Sequence, residues 1–158
     1  MPYPNRVYTV DEVRKARELT DRGWKHRLRV TGSEEFREKA REAIGLVKEA
    51  MYYDFLRTYV RQIVEIEGFS QLREAEVTIW ANEEILSDLV DAASFFIQKA
   101  QQMKDFLEDK QYYGGKGEIS SMNKRLEFLK ALKSRGKRES VRKRCEDILK
   151  SWADSSFL

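Results

Sequence analysis

The chain has one cysteine, one histidine and two prolines in 158 residues. A lone thiol, Cys145, makes no internal disulfide, and a lone imidazole, His26, supplies no Cys/His cluster for structural zinc. No apolar run reaches the roughly 18 residues that mark a membrane span. The opening stretch MPYPNRVYTVDEV lacks an apolar signal core. The expectation is a cytoplasmic protein without a membrane partner. A charge excess is also missing: 30 basic against 27 acidic side chains leave +3. That balance excludes a strongly basic nucleic-acid protein by composition and leaves room only for a local patch.

What is present is apolar periodicity under a heavily charged surface, with 41% hydrophobic and 36% charged residues. A chain of this length fits one domain, 1–158, with 1–8 as a flexible arm. Such a domain buries roughly 70% of its unfolded surface. Thr9 to Glu12 fits a capping box opening a short helix, and Trp24 to Val30 alternates with the period of a strand. Ser33 caps a helix whose stripe is Phe36, Ala40, Ala43, Ile44 and Val47. Tyr52 to Ile66 has helical spacing but ends in a β-branched run that could be a strand. In Gln71 to Trp80 the first half favours helix and Val77 to Trp80 favours strand.

A central amphipathic helix follows, buried on Leu89, Ala92, Ala93, Phe96, Ala100, Met103 and Leu107. Gln98 and Gln102 share its opposite face, flanked by Phe95 and Phe106 as if walling a groove. The glycine turn 114–117 leads to a helix expected to bury Ile119, Met122, Leu126, Leu129 and Leu132. The last helix rests on Val141, Cys145, Ile148, Leu149 and Trp152. The expected fold is α+β: a mainly helical single domain with a small sheet beside a central helix.

This order of elements resembles the zincin type of metallopeptidase, in which a strand borders the cleft and the next helix carries HExxH. The resemblance covers about residues 24 to 132, but its most specific motif is absent: residues 98–102 read Gln-Lys-Ala-Gln-Gln. It implies that Gln98 and Gln102 stand at the two ligand positions, Lys99 at the general base and Glu118 at the third ligand. An amide is a poor zinc ligand beside imidazole, and an ammonium repels a divalent cation. The chemistry would then be lost, leaving no metal, no cofactor and no enzyme. Had the motif been replaced by engineering, the parent would be a zinc peptidase. Lys99 could pair with Glu118 in place of the metal charge, or extend to water.

The expected function is therefore binding of a protein or peptide in the former substrate groove. Its lining would be Val77, Thr78, Ile79, Trp80, Phe95, Phe106, Tyr112 and Tyr113, with a strand edge open to an added chain. The alternative is a helical module that binds nucleic acid or protein through the basic run 133–144. Seven of its twelve residues are Lys or Arg. Lys137, Arg138, Arg142, Lys143 and Arg144 would contact phosphates. No aromatic residue interleaves with the run, so base stacking is not supported and nucleic acid is the less favoured partner.

Overall fold

A computed structural model describes residues 27–155, together with 11, 14, 15, 18, 19, 22 and 23. The capping box at Thr9 lies outside the described residues, as do Trp24, Lys25 and His26 of the strand expected over Trp24 to Val30; of its described part, Arg27 and Leu28 are irregular and Arg29 and Val30 are strand. Strand β1 (Arg29–Thr31) leads into helix α1 (Glu34–Glu49). The Ser33 hydroxyl accepts from the Phe36 amide as the cap, and Phe36, Ala40, Ala43 and Val47 are fully buried. The segment of helical spacing then divides into α2 (Tyr53–Tyr59) and β2 (Gln62–Glu65), so the β-branched run is a strand.

Gln71 to Arg73 is a strand, β3, rather than a helix. A single 3-10 turn, Glu74–Glu76, and Val77 in a left-handed conformation (φ 54°) reverse the chain into β4 (Thr78–Ala81). Propensity favoured helix at Gln71 to Glu76, but antiparallel pairing of β3 on β4 outweighs it. The sheet order is β1-β2-β4-β3, with β1, β2 and β4 parallel and β3 antiparallel. Register aligns Val30, Ile63, Ile79 and Leu72 in one row across all four strands. That row faces the helical core, where Ile63 and Ile79 are fully buried. Residues of the other parity, including Arg29, Gln62, Trp80 and Arg73, form the opposite face.

Helix α3 (Leu89–Leu107) is capped by Asp88, whose carboxylate accepts from the Asp91 amide. It packs on α1, α2, α4 and β3 and forms the centre of the fold. Helix α4 (Gly114–Arg135) begins at the glycines themselves, so they form its first turn rather than a connection. Gly117 packs there against the Tyr112 backbone, where an added Cβ would lie 2.4 Å from the Tyr112 carbonyl carbon. Helix α5 (Glu139–Ser155) closes the bundle with Val141, Cys145 and Ile148 buried. The domain is α+β and mainly helical. Among the described residues no helix is long and apolar enough to cross a membrane.

One helix sits in a different rotation from the one its apolar spacing predicts. The face of α4 turned inward carries Gly117, Ser121, Phe128, Leu129 and Leu132, with Arg125 nearly buried among them. Ile119 is therefore 62% exposed and Met122 37% exposed, which corrects the first half of the expected stripe; Leu126 is half-buried, and Leu129 and Leu132 are buried as expected. The polar residues face inward because α3 presents polar partners to them.

Candidate functional site

On α3, Asp91, Ser94 and Gln98 follow one another at spacings that keep them on one face. Arg125 reaches across from α4 and binds all three. Its Nη2 donates to Asp91 Oδ1 at 2.8 Å, its Nε to Ser94 Oγ at 2.9 Å and its Nη1 to Gln98 Oε1 at 2.6 Å. The Trp152 ring of α5 covers the guanidinium at 4.8 Å. The Arg125 side chain is only 11% exposed. Burial pulls its pKa below the ordinary arginine value, opposed by the nearby Asp91 carboxylate. Arginine nevertheless stays protonated in proteins, so a fixed positive charge sits in this interface.

A second polar cluster lies further along the same two helices. Asp105, buried, accepts from Gln101 Nε2 and from Ser120 Oγ, each at 2.9 Å. Gln101 Oε1 is buried there without a hydrogen-bond partner. Lys99 is half-buried beside Phe95, its ammonium 5.2 Å from the ring centroid. Burial first, and then repulsion from Arg125, hold the Lys99 pKa below the ordinary lysine range. Of the two alternatives for Lys99, the pairing with Glu118 is not among the ion pairs of the described residues, and Glu118 is exposed on the first turns of α4.

The eight expected groove residues do not line one groove. Val77, Thr78 and Ile79 are fully buried. Strand β4 is paired on both sides, by β2 and β3, and offers no edge for an added chain. Alternation along the strand also sends Ile79 and Trp80 to opposite faces, and Trp80 lies under the Arg73 guanidinium at 4.3 Å. Phe95 packs beside Phe96 on α3. Only Phe106, Tyr112 and Tyr113 come together, in edge contacts at 5.2 and 4.9 Å. This aromatic end borders β3: Phe106 shares a small core with Leu72, and burial first, then the nearby Glu74 carboxylate, raise the Tyr112 phenol above its ordinary pKa. Tyr113 is 66% exposed.

No known protein family, curated protein or solved structure matches this chain. The site therefore rests on its own geometry.

The basic run is largely engaged within the fold. Arg144 Nε and Nη2 both lie 2.7 Å from Asp88 Oδ2, Arg142 donates to the Gly136 carbonyl at 2.7 Å, and Lys143 pairs with Asp147 at 3.4 Å. Of the five expected phosphate contacts, Lys137 and Arg138 have exposed side chains without such a pairing among the described residues. Arg125, Ser94 and the trio Gln101, Asp105 and Ser120 escaped sequence reasoning. The signal for Arg125 was its position between Ser121 and Phe128 on the buried face. Among the described residues, no group of three or more His, Cys, Asp or Glu side chains is placed to hold a metal.

Proposed function

We propose that this chain is a non-catalytic domain that binds a protein or peptide, built on a framework like that of the zincin peptidases. The observation that carries the reading is the Arg125 guanidinium, 2.6 Å from the Gln98 carbonyl oxygen. On a peptidase helix that position would hold a metal ligand; here a buried cation already occupies its acceptor. A divalent ion brought to this face would meet Arg125 and Lys99 together, and like charges repel strongly where water is excluded. The element order supports the framework: an antiparallel strand β3 touching the central helix α3, then α4 from a glycine turn.

The surface that fits a partner is the aromatic end formed by Phe106, Tyr112 and Tyr113 beside β3. Tyrosines of this kind supply large contact area at low entropic cost. Selection of displayed peptides on the full chain tests it. Selected peptides should share a sequence pattern and shift the amides of Leu72, Arg73, Tyr112 and Tyr113 in NMR spectra. Failure to select any peptide, or shifts confined elsewhere, refutes the surface. A submicromolar zinc site found by calorimetry refutes the non-catalytic reading. The nucleic-acid alternative through 133–144 predicts heparin retention that falls with salt and disappears when Lys137 and Arg138 are changed to Ala.

A further inference from the structure

The opposite edge of the sheet carries a second candidate surface. Among the described residues β1 is paired on one side only, with β2. Its Arg29 amide donates inward to the Arg61 carbonyl at 3.2 Å. Directions alternate along a strand, so Val30 turns its amide and carbonyl groups to the free edge, with Leu28 just ahead of the strand. A groove of about 490 Å³ runs beside that edge, between β1 and helix α1. Its apolar lining is Leu28, Val30 and Ile44; its charged lining is Arg27, Arg29, Arg41 and Lys48, with no acidic side chain. None of these four cations forms an ion pair among the described residues.

Four cations without an ion pair among the described residues, beside a strand with one open edge, define the chemistry of a partner. We infer that an acidic peptide in extended conformation docks here, adding a strand to β1 and placing its carboxylates among Arg27, Arg29, Arg41 and Lys48. Outward amides and carbonyls suit a peptide backbone, whereas a phosphodiester strand has no donors and acceptors at strand spacing. The Tyr53 ring is already approached by two cations, Lys48 at 4.7 Å and Arg57 at 5.4 Å, so it is not free to stack a base. The groove lies at the edge opposite β3, and the inference stands independently of the reading of Arg125 and the aromatic end.

Fluorescence anisotropy with a labelled peptide of alternating Glu and Val tests it, against a Lys/Val peptide and a single-stranded oligonucleotide. The full chain should bind the acidic peptide saturably, less tightly in high salt, and the Leu28 and Val30 amides should shift in NMR spectra. Reversing two exposed charges, Arg41→Glu with Lys48→Glu, should weaken binding at least about tenfold. Val30→Pro, which removes an outward donor at an edge that tolerates proline, should weaken it too while circular dichroism stays native. The inference is overturned if the acidic peptide does not bind, or if the Lys/Val peptide binds equally well. It is also overturned if the charge reversal leaves affinity unchanged, or if the oligonucleotide binds more tightly through the same amides.

Discussion

Replacing Arg125 with Ala tests whether the guanidinium organises the α3–α4 interface or merely fills it. Three acceptors lose their donor, but unequally. Asp91 is 41% exposed and regains water, so its ion pair contributes at most about 1 kcal/mol. The Ser94 hydroxyl still donates to the Asp91 carbonyl at 2.7 Å, so its loss is small. The Gln98 oxygen loses a charge-assisted bond, costing about 1–2 kcal/mol. Uncovering the Trp152 ring removes about 0.5–1 kcal/mol more. Relief of the arginine's own desolvation offsets part of this, which leaves a net loss of about 2–3 kcal/mol. Urea denaturation should show it as a lower midpoint at unchanged slope. Arg125→Lys keeps the charge but cannot reach acceptors spread over two turns, and should lose about half as much. A cycle with Asp91→Ala should give a coupling near 1 kcal/mol. A loss below about 0.5 kcal/mol for Arg125→Ala would refute the reasoning, since surface substitutions alone produce that.

Burial, with a hydrogen bond to Glu127, pushes the Tyr52 phenol up to about 12 from an ordinary value of 10.0. The folded state therefore favours the neutral phenol: its contribution is complete below pH about 10 and is lost as pH rises towards about 12. Tyr52→Phe should flatten the alkaline fall in stability seen in urea midpoints taken across that range. Gly117→Ala puts a methyl 2.4 Å from the Tyr112 carbonyl carbon and should cost about 2 kcal/mol or more, read as a fall in Tm. Restoring Gln98→His, Lys99→Glu and Gln102→His should not create a tight zinc site while Arg125 remains. Adding Arg125→Met should create one. Zinc binding by the triple variant would show that Arg125 does not block the site, and its absence in the quadruple variant would remove the peptidase-like framework.

The elements with explicit local signals were legible in the sequence. Ser33 with Glu34 and Glu35, followed by an apolar stripe, defines α1, and the stripe through Val141, Cys145 and Ile148 defines α5. The small sheet was half legible. A strand of three residues such as β3 carries too few side chains to show a period, and its identity comes from pairing, whereas β1 overlaps the end of the alternation read from Trp24 to Val30. Once Gln71 to Arg73 pairs with β4, the edge that an added chain would need passes to β3. A groove along β4 therefore failed for a topological reason, although three of the four residues expected in the strand, Thr78 to Trp80, lie in it and Val77 forms the turn before it.

The rotation of α4 shows why the site itself was harder to see. Periodicity treats Ser121 and Arg125 as solvent-facing and gives the core to Ile119 and Met122. That holds only when the partner surface is apolar. Here α3 offers Asp91, Ser94, Gln98 and Asp105 along its facing side, and Arg125 and Ser120 answer them. Turning Ile119 and Met122 inward would swing Arg125 away and leave Gln98 and Asp105 facing apolar side chains. Each buried acceptor without a donor costs about 1–3 kcal/mol, comparable to the roughly 1.5–3 kcal/mol from burying one large apolar side chain. Phe128, Leu129 and Leu132 are buried in the observed rotation, so the polar pairing decides the balance at the other end of the helix. The same pairing that fixes α4 also occupies the Gln98 oxygen, so on the proposed reading the residue that sets the helix rotation would be the one that keeps a cation away.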